Sequence, residues 1–251
     1  VRLETELRDG KAVLSDVFFT APFKVMLPFY LREDYMQVMV LSASAGIMEG
    51  DVQKFDIHVN PGTSLEYLSQ AYEKIHRMKE GMARRETKIV VEPEAFLKYA
   101  PLPTIPFRDS AFENHLEIEL KEKTSRLLFQ EILSCGRAAC GEAFAYRLYH
   151  NHVAVREEGN LIYLDNTRYD PEFFEMSGMG MYEGFTHFLN LVFFNIEKSE
   201  SWISAVRELL DETPDVEGGV TRIASGDAAV RILGRGAEPL LKISEKIQEM
   251  N

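Results

Sequence analysis

The feature that most constrains this chain is a weak internal repeat of strand, polar turn and strand. Phe55, Ile57 and Val59 alternate with polar residues, Asn60-Pro61-Gly62 turns, and Leu65 and Tyr67 resume the alternation. Thirty-two residues later come Ile89 and Val91, then Glu92-Pro93-Glu94, then Leu97 and Tyr99. A third copy follows, about thirty residues on and with a turn one residue longer: Leu116, Ile118 and Leu120, then Lys121-Glu122-Lys123, then Leu127 and Phe129. A period of two puts the apolar side chains on one face of each strand. No unit of this kind can bury that face alone, whereas stacked units bury it together. The repeat therefore predicts a mainly β chain of layered strands, antiparallel or solenoid-like in the manner of a β-helix, with a plain meander as the competing arrangement.

Stacking has a consequence for the segments that follow each second strand. Ser69 to Lys74, Pro101 to Phe107, and Glu131 to Arg137 line up at one end of the stack. In the last of these, Leu127, Phe129, Glu131 and Leu133 share a face, so a carboxylate sits on an apolar surface. Gly136-Arg137 and Gly141-Glu142 follow as two glycine-charge pairs suited to sharp turns. One reading of Glu131 is a simple ion pair with Arg137 across that turn.

Elsewhere, Val13 to Thr20 and Met36 to Ser44 read as strands, the second apolar on both faces and hence central. Pro22 and Pro28 confine the apolar run Phe23 to Tyr30 to a sheet edge or a crossing segment. Strands are expected at 144–149, 152–156 and 161–167, a loop at 168–184, and a buried strand at 185–195. The helical period appears only late. Trp202, Val206, Leu209 and Leu210 mark one helix with Ser199 or Ser201 as its cap; Leu240, Ile243, Ile247 and Met250 mark another, with Pro239 in its first turn. Two short strands, Val220 to Ala224 and Ala228 to Leu233, lie between them. No linker breaks the chain, so residues 1–251 are expected to form one domain.

The net charge of −12 argues against nucleic acid or an anionic membrane as partner. The two cysteines, Cys135 and Cys140, build no disulfide framework and no structural zinc site. No apolar run is long enough for a membrane span, and no leader is visible. These features lead to the expectation of a cytoplasmic protein.

The glycine loop Ser44 to Asp51 follows a strand but lacks the Gly-Lys-Ser/Thr ending of a phosphate loop, so nucleotide binding is not expected. His150 and His152 share a strand face and can chelate a metal, or be paired by chance. His58 reads as solvated, His76 as part of a charged loop, and His187 as a hydrogen-bonded core residue. Asp165 sits with Leu161 and Tyr163 on one face, much as Glu131 sits with Phe129. Two inward carboxylates suit either a general acid/base pair for glycoside hydrolysis or a wet path for a divalent cation.

In combination these segments resemble the urease accessory protein UreD family, called UreH in Helicobacter-type systems. The resemblance spans nearly the whole chain. It is carried by the Ser44 to Asp51 loop with Gly46 and Gly50, Ser69-Gln70-Ala71 with Lys74, Thr104-Ile105-Pro106-Phe107, Glu131 with Gly136-Arg137 and Gly141-Glu142, and Leu164-Asp165. Ala45 stands where the family's loop commonly has a second glycine. The Helicobacter-type branch is suggested by Phe18-Phe19-Thr20 and by Asp165-Asn166-Thr167 followed by Thr186-His187. The resemblance implies a non-catalytic metallochaperone scaffold, mostly β with two helices. It implies partnership with UreF, the GTPase UreG and apo-urease, a dimeric arrangement in the accessory complex, and transient nickel as cargo in an internal tunnel. By position it places Asp51, Glu131 and Asp165 on or near that path. The runner-up is a stacked-strand carbohydrate-active enzyme using Glu131 and Asp165.

Overall fold

A computed structural model describes residues 1–250. The chain is mostly β, and its strands form two main sheets stacked as a β-helix-like solenoid. One sheet has seven strands in the order Asn160–Tyr169, Leu148–Glu157, Ala111–Leu120, Ala83–Val91, Val52–Val59, Arg2–Arg8, Lys11–Phe18. The other has eleven; its main path runs Val216–Arg222, Ala228–Gly234, His187–Phe194, Arg126–Ser134, Phe96–Tyr99, Ser64–Ser69, Tyr35–Ser42, Phe23–Val25.

The repeat read from the sequence is the coil of this solenoid. Ile57 lies beside Ile89 and Leu65 beside Leu97, the same offset of 32 on both sheets. Ile89 lies beside Ile118 but Leu97 beside Leu127, offsets of 29 and 30, so the longer third turn is absorbed without a slip of register. Pairing between coils is parallel. Antiparallel pairs appear at the ends of the sheets, where Asn160–Tyr169, His187–Phe194 and Lys11–Phe18 close the stack. Equivalent side chains therefore stack. Tyr67 lies on Tyr99 with centroids 5.0 Å apart, and Tyr99 on Phe129 at 6.3 Å. Each such aromatic contact adds about 0.5–1.5 kcal/mol beyond its buried area.

The apolar faces of the two sheets meet in the main core, which includes Ile57, Leu65, Ile89, Leu97, Ile118 and Leu127. The opposite face of the larger sheet carries a second core under the helices α1 (Glu200–Glu212) and α2 (Ala237–Glu249). Ser199 caps α1, accepting a hydrogen bond from Trp202 N at 3.1 Å, and Trp202, Val206 and Leu210 turn inward. Leu240, Ile243 and Ile247 do the same for α2.

Several local expectations need correction. Tyr35–Ser42 buries Met36, Val38 and Val40 but leaves Met39 exposed on its other face, which the core under the helices does not reach. The stretch 144–147 is a turn, and a single strand, Leu148–Glu157, replaces the two expected around it. Leu161 is exposed because the ladder with Leu148–Glu157 shifts register between Val155 and Arg156; Tyr163 and Asp165 remain inward. In the 168–184 loop Met176 and Tyr182 are buried, while Met179, Phe173 and Phe174 are exposed. Among the described residues, no helix is long and apolar enough to cross a membrane.

Candidate functional site

The three segments expected to align do so. Glu73 stands beside Thr104, and Thr104 beside Leu133, so Glu73–Ile75, Thr104–Pro106 and the end of Arg126–Ser134 form one shelf. The Ser44 to Asp51 loop is stitched to it: Ile47 N donates to Lys74 O, and His76 N donates to Ile47 O, each at 2.8 Å. Gly46 has φ +149°, and a Cβ there would lie 2.3 Å from Lys74 O, so only glycine permits this approach. His76 is held by the loop as well, with its Nε2 2.9 Å from Ala45 O.

Glu131 lies inside this end of the stack, between the sheets. Asn151 Nδ2 donates to its Oε2 at 2.8 Å and Asn190 Nδ2 to its Oε1 at 3.1 Å. Protein surrounds it on all sides, and the surface it retains faces a cavity of ≈ 50 Å³ that it shares with Asn114, Asn151, Asp165 and Thr167. A water needs about 10–15 Å³ of such space, so the cavity admits about three to five waters. Burial pushes the Glu131 carboxyl up to about 7, and Asp165 adds to the shift; the two asparagine amides oppose it. Glu131 makes no ion pair with Arg137. That arginine is at the surface, where its Nε and Nη2 hold both oxygens of Glu142 at 2.7 and 2.6 Å while its guanidinium lies 4.1 Å from the centre of the Phe107 ring.

Asp165 is reached from the other side of the cavity and is ion-paired. Arg231 Nη2 donates to its Oδ2 at 2.7 Å, and Thr167 Oγ1 to its Oδ1 at 2.5 Å. Tyr163 connects the two acids: its hydroxyl accepts from Asn190 Nδ2 at 3.0 Å and donates to Asp165 Oδ2 at 3.5 Å. Asp51 is distant in role. Its Oδ2 accepts from Met48 N at 2.8 Å and closes the glycine loop, at the edge of an open groove.

These hollows adjoin. The groove beside Asp51 shares Ser44, Gly46 and Gln53 with a cavity of ≈ 120 Å³ behind Lys74. That cavity shares Glu73, Arg85, Tyr99, Pro101 and Leu102 with the one at Glu131. The Glu131 cavity in turn shares Thr167, Tyr169 and Phe188 with an outer cleft lined by Met181, Glu217 and Arg231. The row runs from Asp51 past Glu73, Glu131 and Asp165 to Arg231.

Comparison with known proteins decides the family. A family model described as UreD urease accessory protein matches residues 1–250. The chain belongs to the UreD urease accessory protein family. A urease accessory protein UreH of Helicobacter pylori (strain HPAG1) is 41% identical over 251 residues, covering 100% of this chain and 93% of that protein. UreD of Acetivibrio thermocellus is 38% identical over 249 residues, covering 99% and 95%. UreD of Flavobacterium johnsoniae is 30% identical over 247 residues, covering 96% and 87%. Members of this family serve urease as accessory proteins and are not enzymes themselves. The carbohydrate-active reading fails on geometry too. It requires an open cleft with room for a sugar, whereas the space that Glu131 and Asp165 share is ≈ 50 Å³, well under the roughly 300 Å³ at which small-molecule sites begin.

Sequence reasoning missed Glu73, Gln53, Arg85, Asn151, Asn190 and Arg231 as parts of this interior. A signal existed for four of them: Gln53 has the same parity as the inward Phe55, Ile57 and Val59. Arg85 has the same parity as the inward Thr87, Ile89 and Val91, Asn151 that of Val153, and Asn190 interrupts the apolar strand His187–Phe194. A polar side chain at a buried position of a coil needs partners, and here the partners are one another.

Proposed function

We propose that this chain is a urease maturation scaffold that also conducts nickel. In this reading the whole chain acts as one domain in the cytoplasm. It joins UreF and the GTPase UreG, sits as one half of a dimeric accessory complex, docks apo-urease, and passes Ni²⁺ through its interior toward the urease active site. The observation that carries the reading is the row of adjoining hollows, running between the sheets and out to the cleft at Arg231, with Glu73, Glu131 and Asp165 spread along it. The missing phosphate loop fits a protein that leaves GTP chemistry to a partner.

Glu73 and Asp165 are ion-paired with Arg85 and Arg231, so their charge is already offset. Glu131 is hydrogen-bonded to two amides and is ion-paired with neither arginine. At neutral pH it stands near its midpoint, so a passing dication can displace its proton at little cost and be released as easily. Favourable entry with inexpensive exit is what a conduit requires. Lys74 and Thr104 line these hollows, and Pro106, Gly136, Arg137, Gly141 and Glu142 then serve the shelf and its turns. A docking surface is supplied by Met26, Leu27, Phe29 and Leu31, apolar and exposed on the strand Phe29–Arg32 and on the link that precedes it.

The test is activation of apo-urease by a purified complex carrying Glu131→Leu and Asp165→Leu together. We expect normal assembly with UreF and UreG, and urease of reduced activity and reduced nickel content. The double alanine variant should lose less, because it discharges the path without blocking it. Full activation by the double leucine variant in an intact complex rules out a route past these residues. Failure of the wild-type chain to co-purify with UreF and UreG rules out the scaffold.

A further inference from the structure

We propose that His115, Glu117 and His152 form a binding site for a late first-row divalent metal ion on the outer face of the seven-stranded sheet. The inference stands on that face alone and does not depend on the interior path. Strands Ala111–Leu120 and Leu148–Glu157 pair in parallel with His115 directly beside His152. Alternation sends these two histidines outward, while Asn114 and Asn151 next to them point in toward Glu131. The imidazoles stack at 4.2 Å with 8° between their planes. Glu117, two residues beyond His115, is on the same face, and one ligand atom from each of the three side chains lies within 4.8 Å of the others. Among the described residues this is the only cluster of three metal-ligating side chains so arranged.

Two details separate the cluster from an ordinary charged surface. His152 Nδ1 is buried and has no hydrogen-bond partner among the other described residues, and Glu117 Oε1 is 3.9 Å from it. Buried polar atoms without a partner are uncommon and ask for one. Glu117 is also pre-oriented: Arg156 Nη1 donates to its Oε2 at 3.1 Å, which leaves Oε1 turned to the histidines. A ligating carboxylate held by a further hydrogen bond is the usual arrangement in metal sites.

Metal–nitrogen and metal–oxygen bonds near 2.1 Å place neighbouring ligand atoms about 3 Å apart, so the cluster must contract by about 1–2 Å. Side chains on an open sheet face can do this by rotation. Two imidazoles and one carboxylate, with positions left for water, suit nickel, cobalt, copper or zinc and not calcium or magnesium. Other groups on this face set the limits. Arg156 lies on Glu117, Arg84 on Glu113, and His150 is turned to Asn166 at 2.8 Å. The pair expected from the sequence, His150 with His152, is therefore divided: His152 joins His115, and His150 stays outside.

The experiment titrates the purified full chain with NiCl₂ and with CoCl₂, by calorimetry and by visible absorption of bound Co²⁺. We expect the wild type to bind an equivalent that is weakened at least about tenfold in His115→Ala, His152→Ala and Glu117→Gln, with melting temperatures in the absence of metal unchanged. His152→Gln keeps the bulk of the side chain and should weaken binding as His152→Ala does. Glu131→Gln, which alters only the interior, should retain this equivalent. Unchanged stoichiometry and affinity in the His115→Ala/His152→Ala double variant overturns the proposal. So does a wild type that binds neither ion, or an equivalent lost in Glu131→Gln but kept in the double variant.

Discussion

Arg85 and Glu73 form a two-pronged ion pair between the sheets, in the wall between the cavity behind Lys74 and the cavity at Glu131. Arg85 also holds Gln53, its Nε donating to Oε1 at 3.0 Å, and its guanidinium lies between the rings of Phe55 and Phe112 at 5.2 and 5.8 Å. Two links follow from this placement. The pair is part of the packing, because the guanidinium lies against the rings of Phe55 and Phe112. It is also a charged partition in the row of hollows.

Arg85→Met should destabilise the fold by leaving Glu73 unpaired. Breaking a dry pair costs about 3–5 kcal/mol. Glu73 keeps 25% of its side-chain surface exposed, so about 2–3 kcal/mol is expected, a fall of roughly 5–10 °C in melting temperature. Adding Glu73→Gln should recover much of that loss, since the uncompensated charge is then gone. A thermal melt of the single and double variants reads the difference. Equal melting temperatures for the two would show that Arg85 acts through its bulk alone.

Glu131 gives the chain a pH dependence of definite sign. The unfolded carboxyl ionises near 4.5 and the folded one near 7. Between those values the folded state keeps a proton that the unfolded state has released, so this group lowers stability as pH rises from about 4.5 to 7 and adds no slope outside that window. The whole effect is on the order of 3 kcal/mol. Glu131→Gln should remove this slope and melt higher than the parent at pH 8. Asn190 Oδ1 has no partner, so a turn of that amide can meet the new Nε2–H. A parent and a variant with parallel melting curves from pH 5 to 8 would contradict the assignment.

The coil was legible because one physical constraint wrote it three times. Ile57, Ile89 and Ile118 recur since each must meet its counterpart in the next turn of the stack, and the polar turns recur because they lie at its edge. The α1 and α2 stripes were legible for the same reason: Trp202, Val206 and Leu210 must cover a sheet. Polar contacts between coils left no such mark. Glu131 stood out as a charge on an apolar face, but its partners Asn151 and Asn190 are 20 and 59 residues away in sequence and follow no period. The nearer Arg137 was a plausible partner by distance along the chain, yet Gly136 turns the backbone outward and delivers it to Glu142. Exposure of Leu161 likewise depends on a register shift against a neighbouring strand, which alternation within one strand does not contain.

Gly136 and Arg137 make that turn breakable in two distinct ways. A Cβ at Gly136, where φ is +116°, would lie 2.4 Å from Glu142 O and 2.8 Å from Pro106 O. Gly136→Ala should therefore displace the 136–143 turn from the shelf and speed proteolysis there, with a loss of roughly 1–3 kcal/mol. Arg137→Ala removes the fork on Glu142 and should lower the yield of soluble complex. Arg137→Lys should not restore it, because an ammonium cannot bind both oxygens in a fixed plane or stack on Phe107. A Lys variant with parental yield would assign the role to charge alone.

The edge of the larger sheet carries the last expectation. Leu27 is 93% exposed, Phe29 64% and Leu31 50%, all within one segment interrupted by Pro28. Single exposed apolar side chains are ordinary, but a run of them on an edge strand invites association unless a partner covers it. The isolated chain should therefore aggregate, and UreF should raise its melting temperature, the more so at higher UreF concentration, with a logarithmic dependence. Leu27→Asp with Phe29→Ser should make the free chain more soluble without changing its melting temperature, since neither side chain is packed. The same variant should lose the stabilisation given by UreF. Light scattering and melting curves with and without UreF measure both effects. If the double variant is stabilised by UreF as strongly as the parent, this edge is not the surface that UreF covers.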